Sequence, residues 1–148
     1  SDNADNDYYP VDVPVLLTGI TTDDITKAGE GSLLQTNLRT IKAIENVQVV
    51  VLRLSDATAV DTLDILLTCQ SRLGVTPRSL GAPEIDTPAM TRKLVEIAKK
   101  RSGFVYASPR AENGDLLTDK GAIQAYRDTF AARELMLIEN QWGKPLGK

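Results

Sequence analysis

Two rhythms of apolar residues alternate along the chain, and between them they assign most of its elements. VPVLLTG (13–19) is a compact apolar run closed by a glycine, as in a buried strand. TTDDITKAGEG then gives a short helical turn with a glycine-rich exit. From Leu34 the apolar residues Leu38, Ile41 and Ile44 recur at helical spacing and define one face of a helix. VQVVVLRL (47–54) is β-branched and nearly all apolar, which predicts a strand covered on both faces. A second helix is predicted from Ala59 to Leu73, with Val60, Leu63, Leu67 and Leu73 inward. A short strand lies within GVTPRSLGAPEID (74–86), after which Asp86 or Thr87 caps a third helix and Pro88 fits its first turn. Met90, Leu94, Ile97 and Ala98 form the buried stripe of that helix. GFVYASP (103–109) is a strand ended by proline, and AENGDLL is a loop. Ile123, Tyr126 and Phe130 mark a fourth helix, and ELMLIE (134–139) a last strand.

Strands alternating with helices argue for α/β architecture: a mainly parallel central sheet, built from all five strands and flanked by helices. Residues 11–140 read as a single domain, 1–10 as a disordered leader and 141–148 as an irregular tail. With 148 residues, the chain is long enough to bury a core of its own.

Composition removes several functions. There is no histidine, so the commonest metal ligand and general base are missing, and with them every Ser-His or Cys-His dyad. A single cysteine, Cys69, rules out an internal disulfide and any multi-cysteine zinc site. Its place in a helical pattern predicts a buried, inert thiol. A net charge of −3 does not favour general nucleic-acid binding, and no apolar run is long enough for a membrane helix.

Ligands of open parallel sheets bind at the carboxyl ends of strands. Asp56, Glu84, Asp86, Asp115 and Arg110 fall at such ends and could converge on a divalent metal or a phosphate. The competing account is that they are loop and cap residues, polar for structural reasons, with Asp86 serving as a helix cap. No glycine-rich phosphate loop supports the sharper account. No residue is therefore assigned as catalytic, cofactor-binding or metal-binding, and no cofactor is expected. KKR (99–101) closes a helix, where cations complement the dipole.

The stretch GVTPRSLGAPEIDTPAM closely resembles the G-V-x-P-R-x-L-G-x-P-x-x-D segment of contractile tail sheath proteins of phages and R-type pyocins. KKRSGFVYAS looks like the family's following helix end and strand. AYRDTFAARELMLI is similar to its A-Y-R-x-x-F-x-x-R-E-x-M-x-I segment through Tyr126, Arg127, Phe130, Arg133, Glu134 and Met136. Upstream, YYPVDVPVLLTGI and the helix ending in ENVQVVVLRL also fit. The resemblance spans residues 8–138 in the same order. The family carries a longer insertion where this chain has SDATAVD, and a large second half after LMLI, so the chain resembles the middle of a sheath subunit.

The resemblance implies structural work rather than enzymology. Sheath subunits polymerise in hexameric rings around a tail tube, contact baseplate proteins, and contract once to drive the tube through the host envelope. The implied location is the virion tail, assembled in the bacterial cytoplasm. The implied partners are other sheath subunits, tube and baseplate, with neither nucleic acid nor membrane. Terminal arms of the family add strands to neighbouring subunits. Gly81, Pro83 and Pro88 then shape a strand-to-helix corner, and Arg78 is open to a partner or to an internal pair. The alternative from the residues alone is a small α/β enzyme or ligand-binding domain using the strand-end loops. A deep cleft lined by Asp56, Asp86 and Asp115 would mark that alternative; a filled, shallow surface would mark an assembly domain.

Overall fold

A computed structural model describes residues 3–139. The expected tail of 141–148 lies outside the described residues. The described residues divide into two compact units, 3–56 with 68–75, and 57–67 with 76–139.

The first unit holds strand β1 (Pro14–Leu17), helices α1 (Thr22–Lys27) and α2 (Leu33–Ile44), strand β2 (Val49–Leu52) and the short helix α3 (Cys69–Leu73). β1 and β2 form an antiparallel pair, with Pro14 opposite Leu52 and Leu17 opposite Val49. Its core gathers Tyr9, Leu17, Ile20, Ala28, Leu38 and Val51, with Ile25, Leu34 and Ile41 packed against them. Of the helical stripe read from Leu34 onward, Leu34, Leu38 and Ile41 go inward, whereas Ile44, in the last turn of α2, is 71% exposed. Val51 is the buried residue of β2, and Val49, Val50 and Leu52 are partly buried, so neither face of the strand is wholly closed off.

The disordered leader expected over residues 1–10 is packed from residue 3 onward. Tyr9 is fully buried and Ala4 nearly so. Asp5 takes a backbone bond from its own N–H to the Lys27 carbonyl at 2.9 Å and an ion pair with Lys27 at 2.7 Å. The physical reason is the Tyr8–Tyr9 pair, whose apolar bulk outweighs the polar run before it. Gly29 makes the close packing possible. It sits at φ +88°, and a Cβ there would stand 2.6 Å from the Asn3 carbonyl oxygen.

The second unit contains a 3-10 stretch (Val60–Thr68, its last residue at the unit boundary), strand β3 (Ser79–Gly81), helix α4 (Pro88–Arg101), β4 (Phe104–Ala107), α5 (Lys120–Phe130) and β5 (Leu135–Leu137). The three strands form a parallel sheet in the order β3-β4-β5. Val105 pairs with Leu80 on one side and Leu135 on the other. Leu80, Val105 and Ala107 are buried, as are Met90, Leu94, Ile97 and Ala98 of α4, the stripe expected from sequence. Thr87 caps α4, accepting from the Met90 N–H at 3.3 Å, and Pro88 opens its first turn.

The α/β class and the parallel sheet hold. The five strands, however, are shared between two sheets, and the first pair is antiparallel. Apolar, β-branched runs specify strands but not their partners, and pairing direction is set by tertiary context. The helix expected from Ala59 to Leu73 is also divided: Val60–Thr68 is 3-10, and only Cys69–Leu73 is α-helical. Asp61, Thr62, Asp64 and Thr68 have weak helix propensity, because their short polar groups compete for backbone hydrogen bonds. Cys69 is buried, as expected.

Candidate functional site

Of the acidic residues expected at the strand ends of the second unit, Asp86 is buried while Glu84 and Asp115 are exposed. Glu84, Asp86 and Arg110 come together at the carboxyl edge of the parallel sheet, where they close a corner. Asp86 is fully buried. Its Oδ2 accepts from the Ser108 N–H at 2.6 Å, and its Oδ1 from Arg110 Nε at 2.5 Å. Arg110, 5% exposed, also donates Nη1 to the Gly114 carbonyl at 2.9 Å. Its Nη2 is buried without a hydrogen bond, 3.7 Å from the Glu84 carboxylate. Glu84 stands at φ +69°, an uncommon left-handed conformation for a residue with a side chain.

Asp86 therefore does not cap α4; Thr87 does. Asp86 joins the β3–α4 corner to the exit of β4, and through Arg110 to the turn at 111–115. Asp115 stays outside this cluster, accepting from Asn113 Nδ2 at 2.7 Å. Asp56 belongs to the first unit. Among the described residues no three acidic or thiol groups are clustered as a metal would need. Nor is any described helix long and apolar enough to cross a membrane.

The residues of the AYRDTFAARELMLI motif divide between packing and surface. Tyr126 is buried, its ring 4.9 Å from that of Phe130, and Arg92 lies 5.7 Å over Phe130. Burial pushes the Tyr126 hydroxyl up. That hydroxyl lies near Thr91, yet no hydrogen bond of good geometry forms. Arg127 pairs with Asp128, and Arg133, 95% exposed at its side chain, pairs with Glu134. Met136 is 56% exposed and Phe104 55%. Both belong to the sheet face opposite Leu80 and Val105, since register sets Met136 beside Tyr106, two residues from Phe104. Open grooves run beside α5 and β5, one bordered by Phe130, Leu135 and Met136, another by Ile123 and Leu137; Asp86 lines neither.

In the first unit a polar cluster went unread in the sequence. Tyr8 donates its hydroxyl to Asp24 Oδ1 at 2.5 Å, and Tyr9 donates to the Asp24 carbonyl at 3.0 Å. Asp24 also closes a capping box with Thr21. The Thr21-x-x-Asp24 spacing was the available signal. Burial pushes the Asp24 carboxyl up, but hydrogen bonds from Tyr8 and Thr21 outweigh it and leave the group below its ordinary value. The same bond, aided by burial, lifts the Tyr8 hydroxyl to about 12.

Two curated proteins align with almost the whole chain. The tail sheath protein of Escherichia phage P2 is 30% identical over 159 aligned residues, covering 92% of this chain and 39% of the relative. The major tail sheath protein of Serratia phage KSP20 is 30% identical over 158, covering 93% and 39%. The resemblance to tail sheath proteins is borne out. The chain spans about two-fifths of the length of these sheath relatives. No family model matches it, and no solved structure matches it significantly.

Proposed function

We propose that this chain is a structural segment of a tail sheath subunit. In this role it polymerises with other copies in hexameric rings around a tail tube, reaches the baseplate, and contracts to drive the tube through the host envelope. The observation that carries the reading is the similarity to two phage tail sheath proteins across nine-tenths of the chain. The geometry is compatible with it. The carboxyl-edge corner is filled by an internal ion pair, and among the described residues both β3 and β5 are edge strands with one unpaired side. Unpaired edges accept added strands, the mode by which terminal arms would link neighbours. Contraction requires contacts that break and re-form, so the work is done by interfaces and not by a catalytic set. Its location would be the virion tail, after assembly in the bacterial cytoplasm.

The test is a chimera in which residues 8–138 replace the matching segment of the phage P2 sheath protein. Electron microscopy of the purified chimera should show helical tubes. A soluble, folded chimera that never forms tubes, beside a parent that does, would overturn the reading.

A further inference from the structure

The parallel sheet of the second unit is electrically polar. Its strands run in one direction, so their amino ends share one edge and their carboxyl ends the other. Arg78, Lys99, Lys100 and Arg133 are exposed at the amino edge. Arg101 is half-buried beside them and donates to the Leu67 carbonyl. Two acids lie among them, Glu96 paired with Lys100 at 2.6 Å and Glu134 paired with Arg133 at 3.1 Å, so positive charge remains in excess. Glu134's own backbone N–H, then Arg133 and Lys99, hold its carboxyl below the ordinary range. Arg127, in the last turn of α5, is matched by Asp128.

The carboxyl edge has the opposite sign. Glu84, Glu112, Asp115, Asp119 and Glu139 are exposed there. Of the cations, Arg110 is buried against Asp86, Arg92 stands 4.0 Å from Glu112, and Lys120 opens α5. Asp61 and Asp64 belong to neither edge; they flank Lys93 in the middle of α4.

We propose that this unit stacks head to tail on a second copy of itself, the basic amino edge of one against the acidic carboxyl edge of the next. Complementary patches at opposite ends of one body make a heterologous contact, which propagates into rings or filaments instead of closing as a dimer. The inference rests on the sheath reading only in expecting many copies side by side. Exposed charge pairs are individually weak and screened by salt, so the contact forms and releases readily.

The experiment uses the 148-residue chain in sedimentation equilibrium, with two charge reversals at exposed positions. Lys99→Glu with Lys100→Glu makes both edges acidic; Glu112→Lys with Glu139→Lys makes both basic. The natural protein should self-associate weakly at low salt, with an association constant falling roughly tenfold or more by ~0.5 M salt. Each reversed variant alone should stay monomeric, and an equimolar mixture of the two should associate again. Circular dichroism confirms that both variants fold. Association that ignores salt, or a mixture that stays monomeric, overturns the proposal. Should the P2 chimera form tubes while this mixture stays monomeric, the stacking mode fails and the sheath reading stands.

Discussion

Replacing Asp86 with alanine would strip a buried guanidinium of its closest counter-charge. Asp86 is 0% exposed and Arg110 5%, so water cannot readily take over either role. Two bonds are lost at once, from the Ser108 N–H and from Arg110 Nε. Arg110 Nη2 is already without a hydrogen bond, so the variant leaves two of its three nitrogens without one, with Glu84 at 3.7 Å as the remaining counter-charge. Breaking a buried ion pair from one side typically costs about 3–5 kcal/mol, and an orphaned backbone N–H adds about 1–3 kcal/mol. Relaxation and entering water offset part of that sum, so the expected loss is about 4 kcal/mol, a large share of the ~5–15 kcal/mol that stabilises an ordinary domain. At roughly 2–4 °C per kcal/mol for a chain of 148 residues, the melting temperature should fall by about 10 °C. Urea unfolding followed by circular dichroism gives the loss, and amide exchange at Ser108 localises it. The double variant Asp86→Leu with Arg110→Met should recover much of the stability, because it removes both charges. A loss under ~1 kcal/mol for Asp86→Ala, with Ser108 still protected, would refute the reasoning.

Other outcomes follow from the first unit. Native Cys69 should label slowly with a thiol reagent and quickly in denaturant; native labelling at the rate of free cysteine would contradict its burial. Gly29→Ala, at φ +88° and against the Asn3 carbonyl, should destabilise by about 2 kcal/mol in urea melts, with no change equally informative against the packed amino-terminal segment. Tyr8 is raised to about 12 by Asp24 and by burial, so its contribution is complete below pH ~10 and lost as pH rises toward 12. Tyr8→Phe should flatten the alkaline limb of the stability curve. Asp24 is depressed, so its contribution is present above its unfolded value and lost as pH falls below it, and Tyr8→Phe should weaken that acid limb too.

How much of this was legible in the sequence depends on whether a feature is local. The stripe Met90, Leu94, Ile97 and Ala98 repeats at helical spacing, and the helix buries that stripe. Thr87 and Pro88 mark its start because capping involves only three or four consecutive residues. The partners of strands are not local. Nothing in VPVLLTG or VQVVVLRL states that the two runs pair antiparallel with each other rather than joining a larger sheet. Likewise 59–73 carries apolar residues at helical spacing, yet the aspartates and threonines among them favour the tighter 3-10 winding. The leader misled by its charge: SDNADND is polar, but Tyr8 and Tyr9 behind it bring buried area and two hydroxyls that Asp24 can receive.

The strand-end acids show the same division. Their location could be read from the order of elements, and Glu84, Asp86 and Arg110 do meet. What they do there depends on burial. An exposed Asp86 would offer a carboxylate to a ligand; a buried one must be satisfied from within, and Arg110 and Ser108 satisfy it. Position in sequence separates Asp86 from Arg110 by 24 residues, and only folding shows that their charges cancel. That cancellation bears on the kind of protein this is. The Asp86–Arg110 pair consumes its own charge, whereas Arg78 and Lys99 are exposed at the opposite edge. The unbalanced charge of the second unit thus lies at its edges and not in its buried corner, and exposed charge of this kind acts on the rate and orientation of encounters.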